Sequence, residues 1–172
     1  MDLDEICIRR PTADDAPAMI AFMHRLTGAH DNNTSFDPGQ FNCTEEQQRA
    51  HIAGVQDSNK TICLVSEHRG RIIAITELAR ERRVTRSHVA VLGISIDLDY
   101  RHRGLGTKLM GLVLDWARAQ RIKRIELKVF ARNEPAIKLF RKFDFLEEGR
   151  HAGAFCKEGR YIDDVTMALL LG

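Results

Sequence analysis

Metal-binding and membrane-spanning patterns are both missing from this chain. Its four cysteines, Cys7, Cys43, Cys63 and Cys156, form no Cys-x-x-Cys pair, and no histidine stands near them at ligand spacing. No metal is therefore expected, and Cys7 and Cys63, which fall in strand-like segments, are expected to act as small apolar side chains. Charge bias is missing as well: 26 Lys and Arg stand against 24 Asp and Glu, a formal net charge of +2. Nucleic-acid affinity rests on phosphate neutralisation, so no nucleic-acid partner is expected. The basic run Arg80, Arg82, Arg83 and Arg86 reads as a solvated hairpin tip rather than a binding patch. No apolar stretch is long enough to span a bilayer, and Met1-Asp2-Leu3-Asp4-Glu5 is acidic without an apolar signal core. The expected location is the cytoplasm, with no membrane partner. Repeats, low-complexity tracts and linkers are absent too, and 172 residues, 44% of them hydrophobic, suffice for one core. A single domain over 1–172 is expected.

What the chain does have is a regular succession of helix and strand signals. Ile6 and Ile8 mark a short first strand. Thr12 and Asp15 make a variant capping box for a helix with Ala16, Met19, Ile20, Met23 and Leu26 on its apolar face, closed by Gly28. Residues 30–43, with Asn32, Asn33, Pro38 and Gly39, form a loop of the length usually kept for function. Thr44 and Gln47 form a second capping box, for a helix running to about Asp57. Strands near 61–67 and 71–79 flank a turn at Arg69-Gly70. A longer strand, His88 to Leu98, sets Ala90, Leu92, Ile94 and Ile96 on one face. The helix after it carries Leu105, Leu109, Leu112, Val113, Trp116 and Ala117 at helical spacing. Ile125, Leu127 and Val129 alternate in the next strand, a helix follows Asn133, and a hairpin turns around Gly159. The order β-α-α-β-β-β-α-β-α-β-β is that of an α/β layer of mixed sheet and helices.

Arg101-His102-Arg103-Gly104-Leu105-Gly106-Thr107 joins the long strand to its helix. Two glycines let the backbone pass close to a ligand. The first helical turn adds unpaired N–H groups and the positive end of its dipole, and the arginines add mobile positive charge. This is a pocket for phosphate; the plain alternative is a helix start behind a flexible Gly-Leu-Gly segment. A Walker loop fails, because Thr107 precedes Lys108. A dinucleotide fingerprint fails at Leu109, where a third glycine would stand, although Glu126 lies near the expected acid.

Arg-x-x-Gly-x-Gly opening a helix after a strand resembles the pyrophosphate loop of the GNAT superfamily of acetyl-CoA-dependent N-acetyltransferases. Asn133 and Ala136, followed by an aromatic at Phe140, resemble a second family segment, with Asp144 replacing its usual glycine. Gly159-Arg160-Tyr161-Ile162-Asp163, running into Met167, resembles the last hairpin of a bacterial subgroup that includes amino-acid and phosphinothricin-type acetyltransferases. The resemblance covers about residues 86–172. It implies the GNAT fold, a mixed central sheet of about seven strands with helices on both faces. It also implies that the strands on either side of the phosphate loop and its helix splay apart to take pantetheine. Acetyl-CoA would then be held by Ile94, Ser95 and Ile96, by Arg101 to Thr107, and by Asn133 and Phe140. Lys138 and Lys142 would reach the 3′-phosphate or remain solvated. The 30–43 loop would cover the acceptor, a small-molecule amine, and a homodimer is allowed.

The chain departs from the family at two chemical positions. The acid that commonly takes the amine proton aligns with Ala90 or Val91, and the tyrosine that commonly protonates the thiolate aligns with Phe140. Relocated groups are candidates: Glu77 as a base through water or as a solvated glutamate, His88 as a base or a structural histidine, and Tyr161 as an acid. Without a base, the acceptor itself decides the rate. An α-amino group of pKa about 7.8 is roughly 14% neutral at pH 7, against roughly 0.04% for a lysine amine at about 10.4. A free amino acid or similar α-amino compound is thus the expected acceptor. Acetylation of a protein or peptide amino terminus, and acyl-CoA sensing without turnover, are the alternatives.

Overall fold

The computed structural model describes residues 3–29, 32–56 and 58–172. Its strands are β1 (Cys7–Arg9), β2 (Thr61–His68), β3 (Arg71–Arg80), β4 (Val89–Ile96), β5 (Arg124–Phe130), β6 (Leu146–Lys157) and β7 (Arg160–Leu170). Its helices are α1 (Ala16–Gly28), α2 (Glu45–Gln56), α3 (Leu105–Ala119) and α4 (Glu134–Lys142). The strands form one sheet in the order β1-β2-β3-β4-β5-β7-β6, antiparallel except where β4 meets β5. Element order and fold class are those expected.

Local chemistry sets the element ends. Thr12 donates its backbone N–H to Asp15 Oδ2 at 2.6 Å, closing the first capping box around a short 3-10 turn that leads into α1. Thr44 and Gln47 close the second reciprocally, at 2.9 and 3.2 Å. Each such cap stabilises a helix start by about 1 kcal/mol. Two-residue turns at Arg69-Gly70 and Glu158-Gly159 have positive φ throughout, which matches the twist of the strands they join.

Strand alternation then divides the core between two faces. On one face α1 and α2 pack Met19, Phe22, Leu26, Ile52 and Val55 against Cys63, Val65 and Ile72. On the other, α3 and α4 pack Met110, Val113, Leu114, Ile137 and Phe140 against Ile62, Leu64, Leu92, Ile125, Leu127 and Met167. Helices cover both faces because β2 and β3 bury successive side chains, which point to opposite faces.

Several expectations are corrected. Cys7 is exposed: β1 is a three-residue edge strand, and Ile8 turns to the core beside buried Ile6, leaving Cys7 with Arg9 on the polar side. The stripe of α1 runs through Phe22, which is fully buried, while Ile20 is only half-buried. Leu112 is 41% exposed, because α3 centres its buried stripe on Leu105, Leu109 and Val113. The basic run is only partly free: Arg82 and Arg83 are exposed, but Arg86 Nη2 pairs with Glu126 Oε2 at 2.6 Å and Arg80 donates to the Gln120 carbonyl. Positions 30 and 31 of the long loop, and the expected helix end at Asp57, lie outside the described residues.

One irregularity of the sheet matters most. β4 and β5 pair only from Val89 to Val91 against Arg124 to Glu126. Beyond that, Leu92 to Ile96 pair with β3 alone and Leu127 to Phe130 with β7 alone. The two strands part, and each presents a row of unpaired backbone groups to the gap.

Candidate active site

The gap opens into a cleft of about 430 Å³ that runs from Ile94, Ser95 and Ile96 to the start of α3 and across to α4. At the start of α3 the backbone changes hand twice, at His102 (φ 58°) and Gly104 (φ 85°). A side chain at 104 would cost about 1–2 kcal/mol in that conformation. The Gly104 carbonyl accepts the first helical bond, from Lys108 N at 3.1 Å. The amides of Leu105, Gly106 and Thr107 therefore have no acceptor inside the helix, and they share the positive end of its dipole. Successive amides turned the same way form an anion-binding concavity.

Arg101 lies along this edge. Its Nε donates to Ile96 O at 3.0 Å, folding the side chain back over the end of β4. Burial pulls its pKa below the ordinary value, against Asp97 nearby, yet a guanidinium stays cationic at neutral pH. Across the cleft, Asn133 Oδ1 accepts from Ala136 N at 3.4 Å and so caps α4, which presents Pro135, Lys138, Leu139, Phe140 and Lys142 to the cavity.

A second chamber of about 350 Å³ shares Asn33, Thr34, Ile94, Ser95, Asn133, Ala136 and Phe140 with the cleft. It lies on the side of the long loop, which supplies Ser35 and Phe36, and it is walled by Met23, Leu92, Phe130 and Phe155. Asn32, 1% exposed, pins that loop. Its amide donates to the carbonyls of Thr27 and Ala29 at 2.6 and 2.9 Å, and its Oδ1 accepts from Thr34 Oγ1 at 2.7 Å and from Lys157.

Most residues expected to hold the cofactor come together here: Ile94, Ser95, Ile96, Arg101, His102, Gly104, Gly106, Thr107, Asn133 and Phe140 all line the cleft. Two side chains do not. Leu105 is fully buried among Ile73, Ala74 and Leu109, and Arg103 turns to a separate polar cavity with Glu5, His68 and Tyr100.

The expected catalytic side chains are not gathered. Tyr161 is 81% exposed at the start of β7, beside the Glu158-Gly159 turn, while the next residue, Ile162, is buried. His88 is exposed at the opposite end of β4 from the phosphate loop. Neither lines the cleft or the chamber. Glu77 sits across from Gly93 on β3, but its Oε2 is 2.8 Å from His51 Nε2 and it too lines neither cavity. That hydrogen bond raises the His51 pKa. Ala90 is buried in the α3 face, Val91 is exposed, and Phe140, 4% exposed, walls both cavities.

Lys128 and Asp164, which line the second chamber, were not singled out from sequence. The signal for Asp164 was present in the pair Asp163-Asp164, since strand alternation must turn one of two adjacent acids inward. Among the described residues no group of His, Cys, Asp and Glu is arranged to hold a metal, and no helix is long and apolar enough to cross a membrane.

Residues 28–145 match the Acetyltransferase (GNAT) family. The chain belongs to that family. An L-amino acid N-acetyltransferase, AaaT of Escherichia coli (strain K12), is 35% identical over 103 residues, which are 58% of this chain and 62% of the relative. The match thus spans less than two thirds of that enzyme. The crystal structure of a GNAT-family acetyltransferase from Streptococcus pneumoniae superposes with a TM-score of 0.90 at 29% identity, covering 97% of this chain and 99% of that one. A phosphinothricin acetyltransferase from Sinorhizobium meliloti, solved in complex with acetyl-CoA, shares the fold at a TM-score of 0.83 and 18% identity, over 98% of this chain and 89% of that one. The family match includes both the parting strands and the loop at Arg101 to Thr107.

Proposed function

We propose that this chain is an acetyl-CoA-dependent N-acetyltransferase whose acceptor is a small α-amino compound, first of all a free amino acid. The observation that carries this reading is the unpaired β4 edge running straight to the amide-rich start of α3. Backbone groups of Ile94, Ser95 and Ile96 suit pantetheine as an added strand, and the amides from Arg103 to Thr107 suit the pyrophosphate. Arg101 and His102 border that end of the cleft, and Lys138 and Lys142 offer charge for the 3′-phosphate.

The chemistry is thioester aminolysis. The neutral amine nitrogen attacks the acetyl carbonyl carbon, a C–N bond forms, and the C–S bond breaks. Coenzyme A leaves as a thiolate, and the proton lost by nitrogen is the one the free thiol finally carries. Phe140 offers no proton, and neither Ala90 nor Val91 takes one. Proximity and polarisation of the carbonyl by backbone N–H groups must then supply most of the acceleration. Acceptors with a sizeable neutral fraction are favoured, by a few hundredfold for an α-amine over a lysine amine at pH 7. The name of the E. coli relative supports the same acceptor class. On this reading residues 1–172 act as one catalytic domain, in the cytoplasm, on a small molecule rather than on nucleic acid or membrane.

The test is thiol release from acetyl-CoA across free amino acids, polyamines, aminoglycosides and peptides. Turnover greatest with free amino acids supports the reading. Release only with peptides would replace it with amino-terminal acetylation, and binding of acetyl-CoA without release to any amine would replace it with a sensor.

A further inference from the structure

The second chamber holds one unexplained charge pair. Asp164 on β7 is 2% exposed and lines a cavity whose other walls are mostly apolar. A carboxylate taken out of water is costly unless it is paired and hydrogen-bonded. Oδ1 has such a partner, His151 Nδ1 at 2.5 Å from the neighbouring strand β6. Oδ2 faces Lys128 Nζ of β5 at 3.8 Å, longer than a hydrogen bond. Lys128 lines the same chamber and its side chain is 68% exposed, so its ammonium is free to swing without unpacking the core.

We propose that Lys128 and Asp164 form the head-group clamp of the acceptor, with Asp164 Oδ2 accepting from the amine and Lys128 Nζ pairing with the α-carboxylate. The inference rests on the amino-acid acetyltransferase reading and adds the residues that select the substrate. Opposite charges one ion-pair length apart complement a zwitterion, whose ammonium and carboxylate are joined through a single carbon. On binding, the exposed Lys128 side chain swings aside to admit the head group, and each protein charge exchanges its distant partner for a close one. The clamp also assists transfer. A neutral amine still donates an N–H to Oδ2, and positive charge builds on nitrogen as it attacks, where a fixed carboxylate stabilises it. His151, at the outer edge, holds the carboxylate in place and acts as a positioning residue.

The experiment uses the full chain with acetyl-CoA and three acceptors: the amino acid turned over fastest, its methyl ester, and the amine left on decarboxylation. Lys128→Met should raise KM for the amino acid about tenfold or more, and far more than for the ester or the amine, because only the first carries a carboxylate. Lys128→Arg should recover part of that preference. Asp164→Asn should lower kcat/KM for all three acceptors while coenzyme A still raises the melting temperature as in wild type. Unchanged selectivity in Lys128→Met, or wild-type kinetics in Asp164→Asn, overturns the clamp and leaves the acetyltransferase reading standing. If Asp164→Asn does not fold, the Lys128→Met selectivity alone decides. No turnover of any acceptor by the wild-type protein removes the underlying reading and the clamp together.

Discussion

The end of the Leu139 side chain on α4 fills the space beside Gly106 on α3 where a Cβ would stand. A Cβ at 106 would stand 2.8 Å from Leu139 Cδ2 and 3.5 Å from Ile96 Cδ1. The glycine lets the Leu139 side chain of α4 lie against the first turn of α3. Gly106→Ala should therefore turn the end of Leu139 aside into the cleft it lines, at little cost to the fold, and weaken coenzyme A binding severalfold. Adding Leu139→Ala should restore much of the affinity by opening the space again. Gly106→Asp, and Gly104→Asp at the positive-φ position, should abolish binding through strain and like charge. The readout is the rise in melting temperature with coenzyme A; a normal rise in either aspartate variant would move the pyrophosphate site elsewhere.

The absence of a base at Ala90 and Val91 predicts the pH profile. For two acceptors of similar shape but different amine pKa, the midpoint of the rise in kcat/KM should shift with the acceptor. A midpoint that stays the same for both amines would reveal a titrating enzyme group. Asp164, which lines the second chamber, is the first residue to substitute in that case.

Thiol chemistry should separate the cysteines by depth. Burial pushes the Cys63 thiol up to about 12, further raised by Glu77, so it stays protonated and sheltered at pH 8. Cys7 and Cys156 are exposed. An aromatic disulfide reagent should label those two in the native protein and reach Cys63 only after denaturation. Native labelling of Cys63 on the same timescale would contradict its packing under α1 and α2.

Acid stability should depend on Asp15. Hydrogen bonds from Arg9, at 2.7 Å to each carboxylate oxygen, hold its pKa at about 2 against the burial that would raise it, and Thr12 assists. A carboxylate with a depressed folded pKa stabilises fully above its unfolded pKa and loses that contribution as pH falls through the folded one. The window here is from about pH 4 down to about pH 2. Allowing for solvent around Arg9, the contribution is on the order of 1 kcal/mol. Asp15→Asn should lower the urea midpoint at pH 7, and the difference from wild type should vanish near pH 2. A difference that persists unchanged to pH 2 would assign the effect to the lost cap alone.

The sequence by itself determined the order and ends of the elements, because their signals are local. The strand expected through Ile125, Leu127 and Val129 runs Arg124–Phe130 in the structure, and both capping boxes form as their four-residue spacing requires. The junction from Arg101 to Thr107 was legible for the same reason: strand, Gly-x-Gly and helix are contiguous. The family followed from that loop and the Asn133 segment together. Faces and neighbours were a different matter. Whether Cys7 or Ile8 turns inward depends on the register of an edge strand against β2, and Tyr161 is left to water at the hairpin end of β7, beyond the reach of the covering helices. Lys128, His151 and Asp164 lie on three strands brought side by side by the order β5-β7-β6, an arrangement with no local signature. Only the tertiary structure decided which charges share the second chamber. Period and spacing act along the chain, whereas the pairing of charges across strands is set by sheet order, register and the parting of β4 from β5.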